Sequence, residues 1–356
     1  MKRIQRGLAL LMTLLCVSAA AGCSSSAPQS TLTLWYAESE CSRAAMTSLL
    51  DAYQKETNAV VDAVAFADEA ALGAAFASGQ PDLLFCSLDR AARMDTLAPL
   101  PALSIQNAYA DTITDVSPLI AGGSFFPIGA RLPLLLVNTA LASPDYSSLE
   151  ALLDAAADNA GPFLGADSWA DLLYQGMFSL GRELTGLEKA DARDESYRAL
   201  YNRLAEAAYA GGLARLDADA AAYVRQGLLP CAAVSSTVLA GIHDEALAVR
   251  LPPPPVGGRA LWSAELMGFV PLNAKSANAA FLAWLTDGGR AAELALAAGL
   301  APVTDGAADG TEDDLEALLL SLWQDQRLRY RPAGSDYALN RADCEQSLRR
   351  HLDLLA

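Results

Sequence analysis

The chain has 356 residues, of which 53% are hydrophobic and 19% are charged, and its formal net charge at pH 7 is −17. This length and apolar content predict a folded protein of about two domains and exclude an intrinsically disordered one. The strongly acidic balance argues against nucleic acid as a partner, because phosphate backbones bind basic surfaces.

The first thirty residues have the composition of an export segment. Three basic residues precede an apolar run from Leu8 to Ala20, which is shorter than the roughly 20 residues that span a bilayer. This pattern predicts a signal peptide over residues 1–22. The Ala-Gly-Cys sequence that ends at Cys23 resembles a bacterial lipobox, which implies that Cys23 is lipidated and anchors the protein to the extracytoplasmic face of a membrane. A plain secretory signal with an incidental cysteine is the alternative, and residues 23–30 read as a flexible tether.

Strands and helices are predicted to alternate after the tether. β-Prone alternation and continuous apolar runs indicate strands, and apolar residues at helical spacing indicate helices. The predicted elements are a strand at 31–35, a helix at 45–53, a strand at 59–66, a helix at 70–77 and a strand at 81–86. Because this order is typical of a parallel sheet covered on both faces, the fold class is α/β.

An apolar segment at 126–138 contains three proline and glycine interruptions, which favours a chain that crosses between two bodies. The run Pro252–Pro255 predicts a stiff connector. Further strands are predicted at 228–234, 246–251 and 268–272. Further helices are predicted at 148–158, 194–210 and 278–286, with another that ends at about residue 298, and then at 312–331 and 341–355.

The sequence carries none of the common motifs for covalent chemistry. The sequence has no GxSxG, P-loop, GxGxxG or HExxH motif, so it predicts a protein that is not an enzyme and uses no cofactor. The two histidines, His243 and His351, are isolated and there is no CxxC, so no metal site is predicted.

Five segments, in order, resemble the extracellular solute-binding proteins of ABC importers, the group that includes maltose-binding protein. They are "TLTLWYAESE" with "LLDAYQKETNAVVDAV", then "FASGQPDLLFCSLDR", "FPIGARLPLLLVNTAL", "GFVPLNAKSANAAFLAWLTD" and "AAGLAPV". The resemblance implies a two-lobed fold, in which each lobe is a mainly parallel sheet flanked by helices and a hinge of crossing strands joins the lobes. The first lobe is expected to contain residues 31–127 and 263–303, and the second residues 128–262 and 304–356.

The same resemblance implies a monomer that captures a small polar solute, with a sugar or oligosaccharide favoured, and delivers it to the membrane subunits of an importer. The alternative is a surface lipoprotein of the same fold that binds a protein or a cell-wall polymer without transport.

In the first lobe, ligand contacts are expected just after the strands, where sites in open parallel sheets form. Trp35 and Tyr36 end the first strand, and an aromatic face suits sugar C–H groups, although Trp35 could instead pack between sheet and helix. Glu38 offers a carboxylate in the next loop, or only solvated charge. Asp89 and Arg90 stand where the resemblance places an Asp-Arg pair that bonds sugar hydroxyls, the alternative being a helix N-terminal Asp and a surface Arg.

In the second lobe, the resemblance assigns Trp169 the role of a ligand-stacking aromatic with Asp167 beside it. Ser235 and Ser236 follow a predicted strand in a small polar turn. Trp262 follows the proline connector and faces either the cleft or the hinge.

Four cysteines of the mature chain besides Cys23 allow three disulfide pairings in an oxidising compartment. The resemblance places Cys41 beside Cys86, which favours a Cys41–Cys86 bridge and leaves Cys231 and Cys344 as a pair in the second lobe. The alternative for Cys86 is a small buried hydrophobic residue.

Overall fold

A computed structural model describes residues 31–95, 97–98, 117–181, 195–214, 219–304, 314–325, 327–331, 345–346 and 348–350. The predicted signal peptide, the lipidation site Cys23, the tether and Cys344 lie outside these residues.

Two sheets organise the described chain. The strands of the first sheet are β1 (Thr31–Ala37), β2 (Val60–Phe66), β3 (Leu83–Ser87), β4 (Phe126–Arg131), β9 (Trp262–Pro271), β10 (Ala301–Pro302) and β11 (Leu328–Tyr330). Those of the second sheet are β5 (Pro133–Asn138), β6 (Leu164–Ala166), β7 (Cys231–Ser235) and β8 (Leu247–Arg250). The first sheet runs β10-β4-β9-β3-β1-β2 with β11 on β9, and the second runs β6-β7-β5-β8.

The strand directions agree only in part with the expected mainly parallel sheets. β1 pairs in parallel with β2 and β3, as the first five predicted elements required. However, β9 is antiparallel to both β3 and β4, and β5 is antiparallel to both β7 and β8. Both sheets are therefore mixed. Continuous hydrophobicity reports burial on both faces of a strand and does not report its direction.

The predicted crossing at 126–138 consists of two strands, β4 in the first sheet and β5 in the second, separated by Leu132. The crossing therefore comes a few residues later than the expected lobe boundary at 127/128. The segment predicted as one helix over 312–331 instead contains a helix followed by β11, and β11 belongs to the first sheet rather than to the second lobe.

The helices begin where short polar side chains cap them. Ser42, Asp68, Ser148, Ser168 and Asp219 each accept a hydrogen bond from a backbone amide in the first turn of the helix that follows. The helices are α1 (Arg43–Thr57), α2 (Glu69–Ala75), α3 (Leu88–Ala91), α4 (Pro118–Ala121), α5 (Leu149–Asp158), α6 (Trp169–Ser179), α7 (Glu195–Tyr209), α8 (Ala220–Arg225), α9 (Ser276–Thr286), α10 (Arg290–Ala297) and α11 (Asp314–Gln324). Within the described residues, no helix is both long and apolar enough to cross a membrane.

The apolar core has two parts. One contains edge-to-face aromatic contacts between Phe269 and both Phe85 and Phe281, and it extends across to Leu134 and Val234 of the second sheet. The other covers the opposite face of the second sheet with α5, α6 and α7.

The chain segments around the two sheets also meet at Gly299, which follows α10 and has a φ of 70°. A Cβ atom there would lie 2.4 Å from the carbonyl oxygen of Ser236, so only glycine fits this contact.

Candidate ligand-binding cleft

A cleft of about 490 Å³ lies between elements of the two sheets. Seven charged residues from elements of the first sheet and its helices form what we call the charged wall: Glu69, Asp89, Arg90, Arg93, Arg131, Glu265 and Arg331. Six residues from the second sheet and the start of α6 form the small polar wall: Asp167, Ser168, Asp171, Ala233, Val234 and Ser235. Ser39, Ser87, Leu132 and Pro133 complete the lining.

An ion-pair network organises the charged wall. Arg131 at the end of β4 lies opposite Glu265 of β9 in the strand register, and its Nε donates to Glu265 Oε2 over 2.7 Å. Its Nη2 also donates to Glu69 Oε1 over 3.4 Å. Arg90 Nη1 donates to the carbonyl oxygen of Glu69 over 3.2 Å. Burial lowers the pKa of Arg131, but the carboxylates of Glu265 and Glu69 together raise it by more, so this guanidinium is a permanent cation in the wall.

Asp89 is the exception within this network. Asp89 is only 4% exposed, and its Oδ2 has no hydrogen-bond partner among the described residues. Burial, followed by the charge of Glu265, raises the pKa of the Asp89 carboxyl to about 6. The cleft therefore contains a buried acceptor that the protein itself leaves unused.

A second buried carboxyl lies behind the cleft. Glu40 follows Ser39, is fully buried, and has no hydrogen-bond partner for either oxygen among the described residues. Burial, and then the charge of Glu69, raises its pKa to about 8. At neutral pH this side chain is therefore mostly protonated.

The polar groups of the small polar wall are largely satisfied by the protein. Asp167 Oδ2 accepts from the backbone N–H of Ser235 over 3.2 Å, and burial raises the pKa of Asp167. Ser168 Oγ accepts from the Asp171 amide over 3.1 Å and donates to Glu345 over 3.1 Å.

One hydrogen bond connects the two walls at the rim. The Thr237 hydroxyl donates to the carbonyl oxygen of Ser39 over 3.3 Å, and it also lies 2.9 Å from the hydroxyl of Ser235.

The structure brings four of the predicted ligand-binding residues to the cleft: Asp89, Arg90, Asp167 and Ser235. In the first lobe, three others lie elsewhere. Trp35 packs edge-on against Phe66 and Phe76, so its alternative reading as a packing residue fits the structure. Tyr36 is buried in the core, and Glu38 forms an ion pair with Arg43.

In the second lobe, Trp169, Ser236 and Trp262 do not line the cleft. The Trp169 ring is buried in the core beneath α6, because the first residue of this helix faces the sheet. The Ser236 hydroxyl accepts from the Leu132 amide at the crossing, over 3.4 Å. Trp262 Nε1 donates to the Pro252 carbonyl oxygen over 3.3 Å, so this ring covers the proline connector.

The sequence reading missed Glu69, Arg93, Arg131, Asp171, Glu265 and Arg331. A signal existed for two of them, since Arg131 ends an apolar strand and Glu265 is the only charged residue within another. Such residues are rarely buried unless they are paired or functional. We find no comparable signal for Arg331.

The predicted Cys41–Cys86 disulfide is absent, and Cys41, Cys86 and Cys231 are free, buried thiols. Cys86 lies in β3 opposite Gly268, whereas Cys41 follows a turn beyond β1 and its sulfur lies 3.7 Å from the Ser42 carbonyl oxygen. Burial raises the pKa of Cys41 to about 12 and that of Cys86 well above the usual range, so neither is a nucleophile. The Cys231 sulfur lies 3.9 Å from the Tyr146 hydroxyl. Within the described residues, no cluster of His, Cys, Asp and Glu could hold a metal ion.

The fold is similar to that of several solved solute-binding proteins. A cyclic α-maltosyl-1,6-maltose binding protein from Arthrobacter globiformis superposes with a TM-score of 0.68 at 16% identity, over 92% of this chain and 94% of that one. An ABC substrate-binding protein from Listeria monocytogenes in complex with cycloalternan gives a TM-score of 0.70 at 11% identity, over 92% and 94%. The spermidine/putrescine ABC transporter substrate-binding protein from Streptococcus pneumoniae gives 0.67 at 14% identity, over 90% and 99%.

At these identities the similarity shows the two-lobed α/β fold, and it confirms the predicted fold class. No curated protein matches the chain in sequence. Residues 48–318 match the family model for bacterial extracellular solute-binding proteins, whose members bind solutes outside the cytoplasm and are not classed as enzymes. The chain therefore belongs to the bacterial extracellular solute-binding protein family.

Proposed function

We propose that this protein captures a small hydroxyl-rich solute, a sugar or short oligosaccharide, and delivers it to the membrane subunits of an ABC importer. The observation that carries the proposal is the cleft itself, whose lining is dominated by carboxylates, guanidinium groups and hydroxyls from both sheets. Charged groups in a partly dry site form strong hydrogen bonds with sugar hydroxyls, which both donate and accept. The volume of about 490 Å³ lies within the usual range for small-molecule sites.

The cleft differs from a stacking site. None of the described residues that line it is aromatic. Recognition would therefore depend on hydrogen bonds rather than on ring faces, which favours a compact sugar over a long oligosaccharide chain. Two of the proteins with a similar fold, a cyclic α-maltosyl-1,6-maltose binding protein and one in complex with cycloalternan, have carbohydrate ligands, which supports this class.

Capture of the solute would depend on contacts with both walls. A ligand that bonds to both walls stabilises the closed arrangement by the free energy of the contacts that only this arrangement offers. The hydrogen bond from Thr237 to Ser39 already connects the walls, so the ligand would add to an existing contact.

A thermal-shift screen of the purified protein against sugars, amino acids, polyamines and inorganic anions tests the proposal. A ligand present at about 100 times its Kd is expected to add about 2.7 kcal/mol to the free energy of unfolding. We expect a sugar to raise Tm, and we expect Arg131→Met to abolish the shift while the exposed variant Glu245→Gln retains it. The absence of any shift across the panel would contradict small-molecule capture and favour a surface lipoprotein that binds a macromolecule.

We also propose that Cys23 carries lipid and anchors the protein to the membrane. The support is the Ala-Gly-Cys sequence after the apolar run, followed by a tether of small polar residues. Fractionation of bacteria that express the full chain should place it in the membrane fraction, and Cys23→Ser should release it. A protein that remains soluble with Cys23 intact would contradict the anchor.

A further inference from the structure

Glu40 is a buried carboxyl that the proposed capture of a solute does not use. It is fully buried, and neither of its oxygens has a hydrogen-bond partner among the described residues. It lies behind the cleft and is not part of the lining. A buried carboxylate is costly unless it is paired and hydrogen-bonded, so these surroundings accept the protonated form and oppose the charged one.

The charges that face Glu40 offer it no net compensation. Two carboxylates and two guanidinium groups act on it from four elements, and its own charge acts on two buried thiols. These groups are Glu69 of α2, Arg90 of α3, Arg131 of β4, Glu265 of β9, Cys86 of β3 and Cys41 in the same turn. Arg131 is already engaged by Glu265 and Glu69, and Arg90 donates to the Glu69 backbone. An ionised Glu40 would therefore gain a cation only by drawing one of these arginines out of the charged wall.

Glu40 also belongs to the turn that carries the contact between the two walls. Its neighbour Ser39 lines the cleft, and the Ser39 carbonyl oxygen accepts the hydrogen bond from the Thr237 hydroxyl. The amides of Glu40 and Cys41 both donate to the carbonyl oxygen of Ala37, over 3.0 and 3.1 Å, and hold this turn against the end of β1. With the backbone held in this way, exposing the buried carboxylate to water requires the turn to open. Ionisation of Glu40 must therefore strain either the turn or the charged wall.

We propose that Glu40 is a proton switch for the cleft: with its carboxyl protonated, the Ser39 turn and the charged wall keep the arrangement that binds a solute, and loss of the proton disrupts this arrangement. The effect on capture rests on the proposed function, because it requires a solute that contacts both walls. Burial, and then the charge of Glu69, raises the pKa of Glu40 to about 8. Solute affinity should therefore be fully present below this value and decrease as pH rises through it.

Titration calorimetry with glucose, galactose and maltose at about pH 7 and about pH 9 tests the inference. These sugars are uncharged at both values. Asp89, with a pKa of about 6, is mostly ionised at both, and the Cys41 thiol, with a pKa of about 12, is protonated at both. Since about one molecule in ten keeps the proton on Glu40 at about pH 9, we expect a sugar that binds at about pH 7 to bind about tenfold more weakly there.

Variants localise the effect to this carboxyl. Glu40→Gln is neutral at every pH and similar in shape, so it should bind as wild type does at about pH 7 and lose less than about twofold in affinity by about pH 9. Glu245→Gln, at an exposed position, is the matched control and should keep the wild-type loss. Glu40→Met, which is also neutral, replaces the Gln variant if that variant does not fold.

Hydrogen exchange without ligand provides a second measurement. The amides of Glu40 and Cys41 report opening of the turn, because both are bonded to Ala37. After correction for the intrinsic pH dependence of exchange, their protection should fall by up to about tenfold between about pH 7 and about pH 9 in wild type, and it should not fall in Glu40→Gln.

Equal affinity of wild type at the two pH values would overturn the switch and leave the sugar proposal standing, as would an equal loss in Glu40→Gln. A folded Glu40→Gln that binds no sugar at about pH 7, where wild type does, would also overturn it. If none of the sugars binds to wild type, the sugar proposal loses its support and hydrogen exchange decides the switch, with unchanged protection in wild type as the result that contradicts it.

Discussion

The charged wall takes Arg131 and Glu265 from strands β4 and β9, whereas the small polar wall takes Ser168 and Ser235 from the start of α6 and the end of β7. The polar groups of the small polar wall already form hydrogen bonds within the protein, because Ser168 caps a helix and Asp167 accepts a backbone N–H. On the charged wall, Arg131 pairs with Glu265 and Glu69, but Asp89 Oδ2 has no hydrogen-bond partner among the described residues. Under the proposed function, we therefore expect the charged wall to form the stronger hydrogen bonds with a solute and the small polar wall to set the shape of the site.

The largest effect should come from the core behind the small polar wall. Trp169→Ala is expected to lower the free energy of unfolding by about 3–5 kcal/mol, because it leaves a cavity where the ring is buried. Urea unfolding measures this loss, and Trp169→Phe should show a smaller one. If the ring instead stacked on the ligand, Trp169→Phe would weaken sugar binding with little change in stability, and the comparison of the walls would be wrong.

The second-largest loss of unfolding free energy should come from removing the central positive charge of the charged wall. Arg131→Met leaves Glu265 and Glu69 without their shared cation and should lower the free energy of unfolding by about 3 kcal/mol, the lower end for a broken buried pair, since 20% of the Arg131 side chain is exposed. Ligand binding should be lost as well. Arg203→Met, which breaks the exposed pair with Asp154, is the control and should cost at most about 1 kcal/mol. Equal losses in the two variants would show that the network contributes no more than a surface pair.

The pH dependence of stability separates Glu40 from the other carboxyls. Its pKa is about 8 in the folded protein and near 4.5 in the unfolded chain, so between these values the folded state binds more protons. The contribution of Glu40 to stability is therefore fully present below about pH 4.5 and is lost as pH rises through about 8.

Glu40→Gln should be about as stable as wild type at about pH 5 and more stable at about pH 8, as measured by urea unfolding at both values. Glu245→Gln, at an exposed position, should show no such divergence. Parallel pH profiles for wild type and Glu40→Gln would contradict a buried, protonated Glu40.

The smallest effect concerns the contact between the walls. Thr237→Val removes the hydrogen bond to Ser39 with little change in shape and should lower the free energy of unfolding by about 0.5–1.5 kcal/mol. Thr237→Ser keeps the hydroxyl and should remain closer to wild type. A Val variant as stable as the Ser variant would mean that this hydrogen bond adds nothing to the association of the walls.

Local pattern predicted the elements that end at the cleft but not all of the side chains that face it. Asp89 and Arg90 were predicted because they follow a buried strand, where sites form, and match the Asp-Arg pair that the resemblance implies, and both line the cleft. Arg131 and Glu265 were missed because their pairing depends on the register of β4 against β9, which joins segments 134 residues apart.

The core position of Trp169 and the absence of the Cys41–Cys86 bridge were both unforeseen for the same reason. The direction of the Trp169 ring depends on the face that α6 presents to the second sheet. Proximity of Cys41 and Cys86 in the strand order did not determine where the turn after β1 places the Cys41 sulfur. Such placements are set by tertiary packing, which short motifs do not encode.

The reactivity of the three buried thiols can report local opening of the folded protein. Cys41 and Cys86 lie in the first lobe and Cys231 in the second, each with no measurable exposure in the folded chain. A thiol reagent can modify them only when the surrounding lobe opens, so with Cys344 replaced by Ser, the labelling rate at each position would report the opening free energy of one lobe. A bound solute that bridges the walls should slow both rates together, whereas a solute held by one wall should protect one lobe alone.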